Sequence, residues 1–206
     1  MKLYGHPLSS CTRKVLMTCA EKGAAIELVT VDLFAGDHKR EPHVARHPFG
    51  VIPVLDDAGF MLYESRAIIR YLDRALPGPA LTPSDTRAIA RMDQWLSVDQ
   101  SYIGPHTRTL AHQRIVRPHQ GLAIEVEVAN DAERALGNSL GVIDRALRGA
   151  RYLAGDTFSL ADVSLAPYVG SLAMIGADHL LADLGELRRW WDDITSRASW
   201  KRATAS

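Results

Sequence analysis

The order of the predicted elements restricts the fold of this chain more than any other feature. Residues 2–7, KLYGHP, predict a short strand, the residues up to Glu21 repeat apolar side chains at helical spacing, and residues 26–33, IELVTVDL, alternate as a second strand. A strand–helix–strand order favours a parallel pair joined by a crossover helix. The strands VIPVLDD and FMLY and the helix ESRAIIRYLDRAL, with Ser65 as its expected N-cap, complete a βαβ-ββα unit.

A proline-rich segment, PGPALTPSD, separates this unit from the rest of the chain. Beyond it, long segments show helical periodicity and no convincing strand pattern, and Ser159 and Asp162 of SLAD predict a capping box. We therefore predict an α/β + all-α protein. Residues 1–77 form the βαβ-ββα domain, residues 78–87 the linker and residues 88–206 an all-helical bundle.

Charge and cysteine content limit the partners and the compartment. The chain has 206 residues with 24 Lys and Arg against 24 Asp and Glu, so electrostatics give no reason to expect nucleic acid or a membrane as a partner. No apolar run reaches membrane-spanning length, and the N-terminus lacks a signal-peptide pattern. Cys11 and Cys19 are separated by about 12 Å of helical rise, too far for a disulfide. Unpaired thiols fit a reducing compartment, so we expect a cytoplasmic protein.

Residues 9–15, SSCTRKV, place two hydroxyls and a thiol where the first helix is expected to begin. Ser9 can donate a hydrogen bond into a cleft, although a serine at this place is more often only a helix cap. Cys11 at a helix start would have a lowered pKa and could form mixed disulfides, or it could simply pack beside the site. Cys19 lies on the apolar face and is expected in the core.

Three histidines in residues 101–121 invite a metal hypothesis. His106, His112 and His119 are six and seven residues apart in a segment interrupted by Pro and Gly. This spacing is poor ligand geometry, so we predict no metal site.

Five segments, in order, resemble the cytosolic glutathione transferase family. They are GHPLSSCTRKVL, DHKREPHVARHPFGVIPVL, LYESRAIIRYL, YLAGDTFSLADV and WWDDITSRASWK. The series HK-x-EP, PFG-x-IP and ESRAI is most similar to the phi class, whereas SSC before a basic residue also resembles the zeta class, which includes a glutathione-dependent isomerase. Val51 stands where phi members often have glutamine. The resemblance implies a thioredoxin-like first domain, glutathione as co-substrate and no metal.

The resemblance also implies a role for Ser9. This residue aligns with the family's catalytic serine, whose hydroxyl stabilises the glutathione thiolate. Ser10 aligns roughly with a catalytic cysteine of the beta class and remains an alternative donor, as does a reactive Cys11.

Other residues are implied to hold the tripeptide. Cations of the polar loop would clamp the glycine carboxylate, the backbone of Ile52 beside a cis Pro53 would pair with the cysteinyl unit, and the start of the ESRAI helix would bind the γ-glutamyl group. The implied glutathione-binding set is Ser10, Cys11, His38, Lys39, Val51, Ile52, Pro53, Glu64 and Ser65.

The resemblance finally implies a second substrate and a second subunit. An apolar electrophile would occupy a hydrophobic pocket formed by Leu8, Tyr102, Ile103 and His106. Phe49 and helix 65–76 would face a partner subunit in a homodimer. Conjugation of apolar electrophiles is the expected reaction. The alternatives are a glutathione-dependent isomerase, dehalogenase or thiol transferase, and a non-catalytic hydrophobic-ligand binder or protein-interaction module.

Overall fold

A computed structural model describes residues 1–205. Its contacts divide the chain into two compact units. The first contains residues 1–82 together with the residues from Thr195 onward, and the second contains residues 83–194. The sequence prediction grouped the last residues with the helical domain, whereas in the structure they pack against the first helix of the chain.

The first unit, within the described residues, is built on a four-stranded sheet of order β2-β1-β3-β4. Strand β1 pairs in parallel with β2 and antiparallel with β3, and β3 pairs antiparallel with β4. The strands are β1 (Lys2–Gly5), β2 (Glu27–Thr30), β3 (Val54–Asp57) and β4 (Phe60–Tyr63). The predicted βαβ-ββα order is confirmed. However, β3 begins only after Pro53, because a proline cannot donate to the sheet ladder.

Four helices accompany the sheet. They are α1 (Ser10–Glu21), α2 (His43–Arg46), α3 (Ser65–Ala75) and α10 (Ala198–Thr204), and a short 3₁₀ turn covers Asp37–Lys39. The core is formed by apolar side chains from strands β1 and β3 and from helices α1 and α3. It includes the fully buried Leu3, Val15, Leu55, Ile68 and Leu72.

Helix α10 is bound to α1 through one carboxylate. Arg197 donates two hydrogen bonds to Glu21, from Nε at 2.8 Å and from a terminal nitrogen at 2.9 Å, and the Ser199 hydroxyl donates a third. Burial raises the pKa of the Glu21 carboxyl, but these donors and the Arg197 charge outweigh it and hold that pKa below its ordinary value. The ion pair therefore links α10 to α1 within the first unit.

The second unit is all-helical among residues 83–194. Its helices are α4 (Thr86–Val98), α5 (Gly104–Ala111), α6 (Arg117–His119), α7 (Val126–Ala146), α8 (Leu160–Val169) and α9 (Gly185–Ser196), of which α9 continues past the boundary of the unit. Single π-helical turns at Asp99–Ile103 and His112–Val116 join α4, α5 and α6 into one helical segment. The alternating IEVEV residues do not form a strand, since α7 begins at Val126.

Helix α8 is the centre of the second unit, because every one of its residues is buried. The predicted capping box is confirmed: Ser159 caps the helix, and Asp162 accepts from the Ser159 backbone N–H at 3.0 Å. Asp162 also accepts from the Trp190 indole N–H at 2.9 Å and the Leu153 N–H at 3.0 Å. Burial nevertheless raises the pKa of this carboxyl.

A buried ion pair fixes the C-terminal end of α1. The Lys22 ammonium lies 3.2 Å from the Asp73 carboxylate and 2.9 Å from each of the Asp73 and Pro79 carbonyl oxygens. The Asp73 carboxylate also accepts from the N–H groups of Leu81 and Thr82. Burial alone would raise the pKa of Asp73, but these amides and the Lys22 ammonium hold it below its ordinary value.

The structure contains no helix within residues 1–205 that is long and apolar enough to cross a membrane.

The substitution Lys22→Met should destabilise the protein strongly, because it leaves the buried Asp73 carboxylate without its cation. We expect a loss of about 3–5 kcal/mol in the free energy of unfolding. Urea denaturation followed by circular dichroism measures this loss. A second substitution, Asp73→Asn, should recover part of it in the Lys22→Met background. A change within about 0.5 kcal/mol for Lys22→Met alone would contradict the interpretation.

Candidate active site

A close contact between β1 and α1 fixes the loop that carries the candidate hydroxyls. A side chain added at Gly5 would place its Cβ 2.6 Å from Thr12 Oγ1, which no real Cβ tolerates. Thr12 is fully buried, and its hydroxyl accepts from the His6 N–H at 3.3 Å. The turn between β1 and α1 is therefore held against the sheet at both sides of Ser9.

Ser9 is the N-cap of α1. Its backbone is extended, and its Oγ accepts from the Thr12 N–H at 3.3 Å. A serine hydroxyl that accepts this bond still holds its own hydrogen, which it can donate elsewhere. The capping role and a donor role are therefore compatible in the same side chain, which is partly exposed.

Ser10 and Cys11 differ from Cys19 in their exposure to solvent. Ser10 and Cys11 are the first two residues of α1, and both are partly exposed. Cys19 is buried in the core as predicted, and burial raises the pKa of its thiol to about 12. No disulfide joins Cys11 to Cys19. Cys19 is excluded as a nucleophile at neutral pH, whereas Cys11 is not.

The polar loop packs the Lys39 side chain and the His38 backbone against the segment before β3. Lys39 Nζ donates to the Phe49 carbonyl at 3.3 Å. Gly50 has φ +58°, and a Cβ there would lie 2.8 Å from the His38 carbonyl oxygen, so this close approach requires glycine. Burial, followed by the Lys39 charge, lowers the pKa of His38. The structure thus brings His38 and Lys39 beside residues 49–51.

The segment from Val51 to Pro53 has the predicted cis peptide bond between Ile52 and Pro53. Within the described part of the chain, the Ile52 N–H donates to no protein acceptor. The Val51 carbonyl oxygen lies 2.8 Å from Nε2 of His43, a buried residue of α2. His43 was not among the residues predicted from the sequence, since a histidine in a polar, proline-containing loop gives no sign of burial.

Glu64 and Ser65 begin α3 differently from the prediction. Ser65 was expected to be the N-cap, but it is the first helical residue and is buried, while Glu64 is the N-cap and makes no side-chain capping bond. Glu64 has φ +71° and ψ 106°, which is strained for a residue other than glycine. Such an outlier at a predicted ligand-binding position is typical of functional sites.

The candidate residues of the helical unit differ in exposure. Tyr102 lies in the first π-helical turn and is 59% exposed, but Ile103 is completely buried inside the unit and presents no surface to a ligand. His106 lines a groove of ≈ 560 Å³ with Val128 and other residues of α7. Leu8, in the first unit, is 47% exposed beside Ser9.

The three histidines of residues 101–121 are carried by α5, the second π-helical turn and α6, respectively. Among residues 1–205, no group of three or more His, Cys, Asp or Glu side chains is placed to hold a metal ion.

Comparison with known proteins covers nearly the whole chain. Residues 3–80 match the glutathione S-transferase N-terminal domain, and residues 87–198 match the glutathione S-transferase C-terminal domain. The chain belongs to the glutathione S-transferase family. Glutathione S-transferase F12 of Arabidopsis thaliana is 34% identical over 205 residues, which are 98% of this chain and 96% of the relative. This similarity confirms a phi-like member of the family.

Solved structures of the family agree with this fold. Glutathione transferase F7 from Populus trichocarpa is 35% identical, covers 99% of this chain and 97% of its own, and superimposes with a TM-score of 0.91. Maize glutathione S-transferase I, solved in complex with an atrazine glutathione conjugate, is 27% identical over 99% of this chain and 96% of its own, with a TM-score of 0.88. The predicted thioredoxin-like domain followed by a helical domain is confirmed.

Replacing Glu64 should reveal the backbone strain at the start of α3. Glycine tolerates a positive φ, whereas alanine does not, so Glu64→Gly should be more stable than Glu64→Ala by about 1 kcal/mol. Thermal unfolding of the two variants measures the difference, and both lose the carboxylate equally. Equal melting temperatures, or a more stable alanine variant, would show that the strain carries no cost.

Proposed function

We propose that the protein is a glutathione transferase in which Ser9 stabilises the glutathione thiolate for attack on apolar electrophiles. The observation that carries this assignment is the Ser9 hydroxyl, which is fixed at the N-terminus of α1 and retains its donor hydrogen. Membership of the family, and the conjugate bound in the maize relative, support glutathione as the co-substrate. The protein needs no metal for this chemistry.

The energetics of the thiol explain why a donor is needed. An unperturbed thiol has a pKa of about 8.5, so only a small fraction is thiolate at neutral pH. Each unit of pKa depression requires about 1.4 kcal/mol of preferential stabilisation of the anion. One hydrogen bond to a charged group contributes about 1.5–3 kcal/mol. Ser9 together with the N-terminal amides of α1 therefore suffices for a depression of one to two units.

The first unit supplies groups of suitable charge for the rest of glutathione. We assign the glycine carboxylate to His38 and Lys39, which the loop packing holds beside residues 49–51. The cysteinyl backbone pairs with Ile52, whose N–H has no acceptor within the described chain. The γ-glutamyl carboxylate binds at the start of α3 near Ser65, and Glu64 pairs with the γ-glutamyl ammonium.

In the first unit, Leu8 is 47% exposed next to Ser9 and is assigned to a contact with the apolar electrophile. In a test with a chloronitrobenzene, the glutathione sulfur forms a bond to the ring carbon, and chloride leaves with the electron pair of the broken C–Cl bond. The thiol proton passes to solvent, and holding both reactants in one site adds a proximity contribution.

A thiol transferase that uses Cys11 is the second candidate. The observation that favours it is the position of Cys11 in the first turn of α1, partly exposed and one residue from Ser10. Such an enzyme would act on a disulfide that contains glutathione. The Cys11 thiolate would attack the glutathione sulfur, form a mixed disulfide and release the other sulfur as a thiolate, so no thioether product would appear.

We also propose a homodimer that works in the cytoplasm, with Phe49 and α3 at the subunit contact. Phe49 is 71% exposed although its loop is polar, and its ring lies edge-on to Tyr63 at 6.4 Å between centroids. An exposed aromatic ring held in one orientation suits a hydrophobic key in a twofold interface.

The Ser9 proposal predicts that activity and capping can be separated. Ser9→Ala removes both the cap and the donor, so conjugation of a chloronitrobenzene should fall at least tenfold and stability by about 1 kcal/mol. Ser9→Asp keeps a capping oxygen but has no donor when ionised, so activity should fall with little change in melting temperature. Cys11→Ala should retain most of the activity. The reverse pattern, loss in Cys11→Ala alone, would favour thiol transfer.

The dimer proposal predicts that Phe49→Ser raises the monomer fraction, because the substitution removes the apolar ring from the contact. Sedimentation velocity over a range of protein concentrations measures the equilibrium. Phe34→Ser, which replaces another exposed phenylalanine of the first unit, is the matched control and should leave the equilibrium unchanged. The same dissociation constant for wild type and Phe49→Ser would contradict the assignment of Phe49.

A further inference from the structure

His43 is a buried histidine that the proposed mechanism leaves without a role. It is the first residue of α2, is 3% exposed, and has Nε2 2.8 Å from the carbonyl oxygen of Val51. Because a carbonyl oxygen only accepts, Nε2 must carry the hydrogen and donate it. Nδ1 is buried and has no hydrogen-bond partner within residues 1–205, so Nε2 is the nitrogen through which the ring bonds.

The Val51 carbonyl that accepts this bond belongs to the peptide unit that also contains the Ile52 N–H. The Val51–Ile52 bond is not among the cis bonds, so its C=O and N–H lie in one plane and point in opposite directions. Holding the carbonyl therefore sets the direction of the Ile52 N–H. This N–H donates to no acceptor within the described chain, so it is directed away from His43 and unused by the fold.

The imidazole is itself held in place by packing. The His43 ring stacks on the His47 ring with centroids 6.5 Å apart and planes 24° apart, and the His47 ring lies 4.6 Å from the Tyr63 ring of β4. A second side-chain bond between the loop and this segment, from Lys39 Nζ to the Phe49 carbonyl, is exposed and longer at 3.3 Å. The hydrogen bond from His43 to Val51 is the stronger of the two, because it is less exposed and water competes less for it.

We propose that His43 is a positioning residue, which orients the Val51–Ile52 peptide so that the Ile52 N–H meets the cysteinyl backbone of glutathione. This inference deepens the proposed function and rests on it. A fixed peptide loses less conformational freedom when the tripeptide binds, so His43 acts on affinity for glutathione. The thiolate and the electrophile contact other groups, so turnover at saturating glutathione does not depend on His43.

Three substitutions of His43 test this role. His43→Phe keeps a planar ring without a donor. His43→Gln places an amide nitrogen near the position of Nε2, and His43→Asn carries the same amide on a shorter side chain that does not reach Val51. His47→Phe is the matched control, because it replaces a buried imidazole but keeps an aromatic ring against His43. His47 makes no side-chain hydrogen bond within the described residues.

The measurements are the Kd of glutathione by titration calorimetry, KM and kcat with a chloronitrobenzene, and the melting temperature. His43→Phe and His43→Asn should raise Kd and KM for glutathione about three- to tenfold, the range expected for one hydrogen bond. The KM for the electrophile and kcat at saturating glutathione should stay within about twofold. His43→Gln and His47→Phe should bind glutathione within about twofold of wild type.

The rescue by glutamine separates positioning from simple packing. If His43→Gln binds glutathione as weakly as His43→Asn, or if His43→Phe binds as tightly as wild type, the proposal is overturned. A wild-type protein that binds glutathione without conjugating it, yet shows the same order of affinities among the variants, would refute the transferase function and retain the positioning role. A wild-type protein that binds no glutathione overturns both.

Discussion

The ion pair between Lys22 and Asp73 is the interaction on which the first unit depends. It joins the end of α1 to the end of α3, and the same carboxylate accepts the amides of Leu81 and Thr82 where the chain leaves the unit. At the other end of α1, Thr12 packs against Gly5, where any larger residue would collide. Helix α1 is therefore fixed at both ends, and these two contacts determine the position of the Ser9 hydroxyl.

The candidate site combines groups that the fold uses with groups that it leaves unused. Ser9 caps α1 and still has a hydrogen to donate, while the Ile52 N–H lacks an acceptor within the described chain. Glu64 holds a strained backbone conformation at the start of α3 without making a capping bond. Unused donors and local strain lower the stability of an isolated fold. Tyr4 pairs with Val54 and Val54 pairs with Tyr63, so these three groups lie at the same edge of the sheet. This arrangement agrees with a binding site for a charged, extended ligand.

Local patterns predicted the parts of the structure that local interactions decide. Strand alternation and helical spacing gave the βαβ-ββα order, and the three-residue spacing of Ser159 and Asp162 gave the capping box. Tertiary contacts decided the rest. His43 is buried against the Val51 carbonyl and the His47 ring, which are not its neighbours in sequence. The fully buried Ile103 lies in a π-helical turn, which the helical spacing of apolar residues does not predict. Likewise, Ser65 has a capping residue's chemistry, but the strained Glu64 takes the N-cap position.

The attachment of α10 to α1 by Arg197 and Glu21 has a consequence for folding during translation. Translation produces the helical unit before it reaches Ala198–Thr204, so the first unit receives α10 only after the whole helical unit has been synthesised. Until then, the Glu21 carboxylate and the α1 surface beneath α10 remain uncovered. Nascent chains stalled before Arg197 would therefore expose a surface that the finished protein hides.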